Sequence, residues 1–218
     1  MERKYPSDAY RGFRASLPDW FIGVPTAGLQ ERAVRRLQLR PGQCVCDAAC
    51  GSGFNLRRLV RAVGPDGLVI AVEDNPNLLA KSAGKVRHAG WTNVRLQEEL
   101  DASQFEHNAI DGIIVSYNPP IFLQRRDLLS AAWAALKPGG RLALVAGRCT
   151  TPVGRVVGPG VRVVLRLAGH GSDWRYWLLH EPWNYLAELS AGNLWVAPRW
   201  GFQYLLWAEK PKGPAATV

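Results

Sequence analysis

The stretch that most constrains this chain is residues 43–56, QCVCDAACGSGFNL. Residues 44–48 read as a short buried strand. Cys50, Gly51, Ser52 and Gly53 form a glycine turn, and a helix opens near Asn55. Glycine at 51 and 53 lets the backbone take positive φ and lets a ligand approach it closely. The turn delivers the chain to a helix N-terminus, whose free N–H groups favour a carboxylate or a phosphate. Asp47 stands in the strand just before the turn. About one strand–helix unit later, LVIAVEDN ends in Glu73, placed to hold a ribose diol, with Asp74 as its neighbour.

Around this turn, strands and helices alternate. Residues 29–37 have an amphipathic helical period that Pro41-Gly42 ends. Residues 55–63 form the first crossover helix, and Gly64–Gly67 is a turn by composition. Residues 68–72 are continuously apolar, as in a strand buried on both faces of a parallel sheet. Residues 78–89 read as a helix, 93–97 as a third strand, and 110–116 as a fourth. Next come a helix over 126–136, a Pro138-Gly139-Gly140 turn and a fifth strand over 141–146. This order predicts an α/β fold with a parallel, doubly wound sheet, whose ligands sit at the C-terminal strand ends, Ser116 among them. The tail is less regular. Residues 150–160 are loop-like, 161–167 fit a strand or a short helix, and 182–189 read as a helix. Residues 193–196 and 202–209 read as the last two strands, and 211–218 as a frayed end.

The turn DAACGSG resembles the first motif of class I S-adenosylmethionine-dependent methyltransferases, D-x-x-C-G-x-G. It is not the dinucleotide G-x-G-x-x-G, because Leu56 stands three residues after Gly53. AVEDNPNLLAKSA resembles that family's second strand and following helix, and LKPGGRLALVA its approach to the fifth strand. EPWNYL and GFQYLLWAEKP resemble small UbiE-like methyltransferases. The resemblance implies a Rossmann-like, mostly parallel seven-stranded sheet closed by a C-terminal antiparallel hairpin, with S-adenosylmethionine as cofactor. It implies that Asp47 serves the methionine amino end and that Ala49, Cys50, Gly51 and Gly53 line the cofactor. Glu73 would take both ribose hydroxyls. In the 98–101 segment, Glu99 or Asp101 would lie beside the adenine, with Leu100 between them; the usual Gly-Asp-Ala is absent there.

Composition narrows the class. The chain has 218 residues, 47% of them hydrophobic, which suits one domain with an ordinary core. Within it, residues 1–28 read as an arm or lid, 29–147 as the cofactor core and 148–218 as the acceptor side. The arm carries Tyr5, Tyr10, Phe13, Trp20 and Phe21, with Pro6, Pro18 and Pro25 interrupting any long helix. No run is apolar enough to span a bilayer, and no apolar signal core follows Met1, so a cytoplasmic location is expected. Cys44, Cys46 and Cys50 cluster on one strand and its turn, a spacing that fits neither a disulfide framework nor a usual zinc site. Net charge is +9, which admits nucleic acid or an anionic membrane surface as a partner, although no nucleic-acid module is recognisable. The oligomeric state is not legible.

The acceptor side is the least determined. Tyr117-Asn118-Pro119-Pro120 follows the fourth strand and approaches the N-P-P-(Y/F) motif of amino-group methylating enzymes. It departs from that motif in its spacing from Asp111 and in having Ile121 where an aromatic belongs. Of nine tryptophans, six lie from Trp174 onward. Trp174, Trp177 and Trp183, with Tyr10 and Asn118, are the candidate wall for a flat or cationic acceptor. His180 and Tyr117 are the candidate catalytic groups, with Glu181 a further possible base. Three functions compete. The first is methylation of a small or lipid-like molecule at nitrogen or oxygen. The second is methylation of an RNA or protein amino group through Asn118. The third is a non-methylating protein of the same fold that binds S-adenosylmethionine.

Overall fold

The computed structural model of the chain describes residues 24–98, 109–116, 126–147, 183–199 and 203–213, with positions 156, 159, 160 and 163. Helix α1 spans Val24–Arg36, strand β1 Cys44–Asp47, α2 Leu56–Val63 and β2 Leu68–Val72. Then come α3 at Pro76–Ala89, β3 at Val94–Gln97 and β4 at Ile110–Ser116. The second half adds α4 at Arg126–Ala135, β5 at Leu136–Gly147, α5 at Trp183–Leu189, β6 at Leu194–Arg199 and β7 at Gln203–Glu209.

The strands make one seven-stranded sheet in the order β3-β2-β1-β4-β5-β7-β6. Strands β1 to β5 pair in parallel, and β7 runs antiparallel to both β5 and β6. The expected doubly wound sheet and its closing hairpin are therefore both present. Chain order reverses direction at β1, which lies between β2 and β4, so a crevice opens beyond the ends of these strands.

Side-chain alternation sends the strands' residues into two core layers. Val45, Ile114, Ala143, Val145 and Leu205 pack with Leu29, Leu56 and Leu59 on one face. Cys46, Ile113, Leu142, Leu144 and Leu206 pack with Leu129, Trp133 and Leu186 on the other. Both faces are covered, which is why these strands read as continuous apolar runs. In α1, Leu29 and Ala33 share one face and are buried, as is Leu37 just beyond the helix, while Arg35 and Arg36 close the last turn, where the helix dipole favours cations.

Strand β6 runs to Arg199, beyond the expected 193–196, and three further boundaries depart for a local reason. Helix α1 starts at Val24, inside the stretch read as an arm, because Pro25 falls in the first turn, where its missing N–H has no intrahelical partner to lose. The other arm residues, 1–23 with Tyr10, lie outside the described residues. Helix α3 starts at Pro76 rather than 78, because the Asn75 side chain accepts from the N–H groups of Asn77 and Leu78 at 3.0 and 3.3 Å and caps it. The third departure is at Pro138-Gly139-Gly140, which belongs to β5 instead of preceding it. Ile110 pairs with Leu136 and Gly112 with Arg141, so residues 137–140 bulge opposite Asp111. Gly139 takes φ +80° there, and its N–H donates to Lys210 O at 2.9 Å, stitching the bulge to the end of β7.

Candidate functional site

The glycine turn hangs between two strand ends. The Cys50 N–H donates to Val72 O at 2.9 Å, and the Ala48 N–H donates to Ile114 O at 3.0 Å. The loop is thus fixed to both β2 and β4, the strands flanking the crevice. Gly51 and Gly53 both adopt positive φ, at +56° and +80°. A Cβ on Gly51 would meet nothing within 4 Å. One on Gly53 would stand 2.8 Å from Leu56 Cδ1 and 3.1 Å from Ser82 Oγ, so packing alone demands glycine at 53.

Glu73 follows β2 directly, lies against this turn and is 6% exposed. Its Oε2 accepts from the Gly51 N–H and its Oε1 from the Asn75 N–H, both at 2.9 Å. The Asp74 side chain also hydrogen-bonds this carboxyl, so a vicinal diol reaching both oxygens would share them with Asp74. Burial pushes the Glu73 carboxyl up to about 8; the Asn75 N–H counters this, the Asp74 charge adds to it and the Gly51 N–H lowers it. Asp74 itself is exposed. Glu73 is thus the buried acid that meets the turn, and Asp74 is its exposed hydrogen-bonded neighbour.

Asp47 ends β1 and is fully buried. Neither carboxylate oxygen has a partner in hydrogen-bonding geometry among the described residues. Burial pushes its pKa up to about 7, and the nearby Ala49 N–H draws it part of the way back. An unpaired buried carboxylate is costly unless a cationic partner arrives. This orphaned group at the switch point fits the ammonium end of an amino-acid ligand. Cys50 lies in the turn beside it, and burial holds its thiol well above the ordinary range, so it lines the site as a small apolar group.

Three participants escaped the sequence reading. Asn55, 2% exposed, donates from Nδ2 to Ser116 Oγ at 3.0 Å, while its Oδ1 has no partner among the described residues. It joins the start of α2 to the end of β4 at Ser116. Ser82 donates from Oγ to Gly51 O at 2.8 Å, and Asn75 serves Glu73. A serine on the buried face of α3 and an asparagine before Pro76 were the available signals. Asp111, by contrast, lies at the opposite end of the sheet from Ser116. It accepts from Gln43 Nε2, the Cys44 N–H and Lys137 Nζ at 3.0, 2.9 and 2.8 Å, so its role is structural.

Asp47, Ala49, Cys50, Gly51, Gly53, Glu73 and Ser116 are thus brought to one crevice. Glu99, Leu100, Asp101, Tyr117, Asn118, Trp174, Trp177, His180 and Glu181 lie outside the described residues. Trp183 opens α5. Cys46 and Cys50 pack into opposite core layers. No described helix is long and apolar enough to cross a membrane.

Comparison with known proteins agrees with this geometry. Residues 45–140 match the family profile of the methyltransferase domain. Over 109 residues the chain is 33% identical to the ubiquinone/menaquinone biosynthesis C-methyltransferase UbiE of Citrobacter koseri, a match spanning 49% of this chain and 43% of that protein. The chain thus aligns with less than half the length of that relative. Among solved structures, a SAM-dependent methyltransferase of Aquifex aeolicus is 20% identical with TM-score 0.55, over 83% of this chain and 88% of that one. The geranyl diphosphate C-methyltransferase of Streptomyces coelicolor, solved with Mg2+, geranyl-S-thiolodiphosphate and S-adenosyl-L-homocysteine, is 17% identical. Its TM-score is 0.62, over 84% of this chain and 76% of that one. The architecture is the Rossmann-like fold of S-adenosylmethionine-dependent methyltransferases, and the turn with Glu73 lies inside the matched segment.

Proposed function

We propose that this protein is an S-adenosylmethionine-dependent methyltransferase acting on a small-molecule acceptor. The observation that carries the reading is the pairing of Glu73, each oxygen oriented by one backbone N–H, with the Asp47 carboxylate, which has no hydrogen-bond partner among the described residues. A ribose diol and an ammonium group are the ligand parts that complete these two residues. Gly51, with open space where a side chain would stand, lets the ligand lie against the turn. When bound, S-adenosylmethionine supplies a methyl group already activated on a sulfonium, so transfer is an in-line displacement.

The chain's own part is then positioning. Fixing the acceptor in near-attack geometry contributes roughly 7–11 kcal/mol in the best intramolecular models. The Cys50–Val72 and Ala48–Ile114 backbone bonds hold the turn rigid for this purpose. The sequence favoured a nitrogen or oxygen acceptor. The names of the Citrobacter and Streptomyces proteins, both C-methyltransferases, support a nucleophilic carbon in a small molecule instead.

Calorimetric titration of S-adenosylmethionine and S-adenosylhomocysteine into wild type and Glu73→Ala tests the cofactor half. Saturable binding to wild type, weakened at least about tenfold in the variant, is expected. Absence of binding to wild type overturns the reading. Methyl transfer to carbon, oxygen and nitrogen acceptors, read by acceptor mass, tests the other half. Binding without transfer to any of them would instead support a non-methylating protein of this fold.

A further inference from the structure

Helices α1, α2 and α3 cover the same side of the sheet, and their outer faces are almost without acids. Neither α2, LRRLVRAV, nor α3, PNLLAKSAGKVRHA, contains an aspartate or glutamate, and α1 contains only Glu31. These three helices hold most of the chain's net charge of +9. A groove of about 730 Å³ runs between them. Its walls are cationic: Arg35 from α1, Arg57, Arg58 and Arg61 from α2, and Lys85 from α3. Its floor includes Val34, Phe54 and Trp91.

The cations are held in two ways. Arg58 is fixed: its Nε donates to Glu31 Oε2 at 3.1 Å, its Nη1 donates to Phe54 O at 3.0 Å, and its guanidinium lies 5.0 Å from the Phe54 ring centre. This arrangement, with Arg35 at 3.8 Å from Glu31 Oε1, neutralises the one acid among the groove's described residues and orients an aromatic face. Arg57 and Arg61 are exposed and make no ion pair among the described residues. They stand one helical turn apart on one face of α2.

We propose that this groove binds the sugar–phosphate backbone of single-stranded nucleic acid. Closely spaced like charges on a folded surface are opposed by their mutual repulsion, which a polyanion relieves. The surface is concave, so an extended strand meets cations from both walls, whereas a flat bilayer reaches only the rims. Phe54 and Trp91 supply aromatic faces beside the cations, the combination on which unpaired bases stack without sequence preference. Gly53 and Phe54, at the end of the glycine turn, also line the groove.

The test is fluorescence anisotropy of a labelled oligouridylate with the full chain, at increasing salt. Sedimentation with phosphatidylcholine–phosphatidylserine vesicles runs in parallel. The groove variant is Arg57→Glu/Arg61→Glu. The control, Arg95→Glu/Lys212→Glu, makes the same change in net charge at exposed positions off the groove. Wild type is expected to bind the oligonucleotide with an affinity that falls linearly with salt on logarithmic axes, about 0.7 in slope per phosphate contacted. The groove variant is expected to lose at least about tenfold and to flatten the slope by roughly 1.4, for two lost contacts. The control is expected to change affinity by less than about threefold. Equal losses in both variants, an unchanged slope in the groove variant, or binding to vesicles without the oligonucleotide overturns the proposal. Matching thermal midpoints show that the variants fold, and an unchanged S-adenosylmethionine titration keeps this result separate from the cofactor site.

Discussion

The Gly51 N–H donates to Glu73 Oε2 at 2.9 Å, joining the glycine turn to the end of β2 across 22 positions of chain. The Asn75 N–H holds the other oxygen at the same distance. Two fixed donors orient the carboxylate before any ligand arrives, and burial still leaves it reluctant to ionise. A cationic, diol-bearing ligand therefore meets a site whose acids it must help to ionise.

Ligand affinity should follow from this. Asp47 and Glu73 carry pKa values pushed up to about 7 and 8, and the ligand selects their ionised forms. Below these values each bound proton must first be expelled, at about 1.4 kcal/mol per pH unit. S-adenosylmethionine affinity is expected to rise as pH goes from 6 toward 8, with proton release on binding, and to level off above that as the ligand's own ammonium group deprotonates. Titrations in buffers of different ionisation enthalpy measure the release, and Asp47→Asn should remove the lower-pH part of it.

The ligand-free protein should behave in the opposite way. Asp47 titrates near 3.8 when exposed and near 7 when folded, so between these values the folded state holds a proton that the unfolded state has lost. Stability from this group is greatest below pH 4 and declines as pH rises through 7, by roughly 1.4 kcal/mol per unit inside the window. Asp47→Asn, which cannot ionise, is expected to raise the thermal midpoint at pH 8 and flatten its fall between pH 5 and 8. Thermal unfolding across that range reads both.

The two turn glycines should separate packing from ligand approach. Gly53→Ala places a methyl 2.8 Å from Leu56 Cδ1 at φ +80° and is expected to destabilise the fold by about 2–3 kcal/mol. Gly51→Ala meets no atom and carries only the left-handed backbone penalty, about 1–2 kcal/mol. Its larger effect is expected on cofactor affinity, because the new methyl occupies space open to the ligand. Thermal unfolding and calorimetry on both variants distinguish the two outcomes.

Asp111 should matter for stability and not for the ligand. Asp111→Ala leaves the Cys44 N–H and Gln43 Nε2 without their acceptor and Lys137 without its pair. A loss of roughly 2–4 kcal/mol is expected in denaturant unfolding, with the affinity of the folded fraction for S-adenosylmethionine unchanged.

The two acids of the site were legible because each sits at a strand end marked by local chemistry. Asp47 precedes a glycine turn, and Glu73 ends an apolar run buried on both faces. The sheet itself was legible for the same reason: burial on both faces leaves its period-free apolar signature in the chain. Asn55, Asn75 and Ser82 were not legible as site residues, since their meaning depends on which backbone atoms lie opposite them.

Chain order and hydrophobic pattern by themselves determined the doubly wound sheet, the turn and the pair Asp47 and Glu73, because these depend on local conformation and burial. Tertiary structure alone decided that the Gly51 and Asn75 N–H groups hold the Glu73 carboxylate, that Asp47 has no hydrogen-bond partner among the described residues, and that Asp111 closes the far end of the sheet. It also decided that cations scattered through three helices converge on one groove. Hydrogen-bond direction and the summing of charge are properties of atoms brought together from distant parts of the chain, and only packing sets those distances.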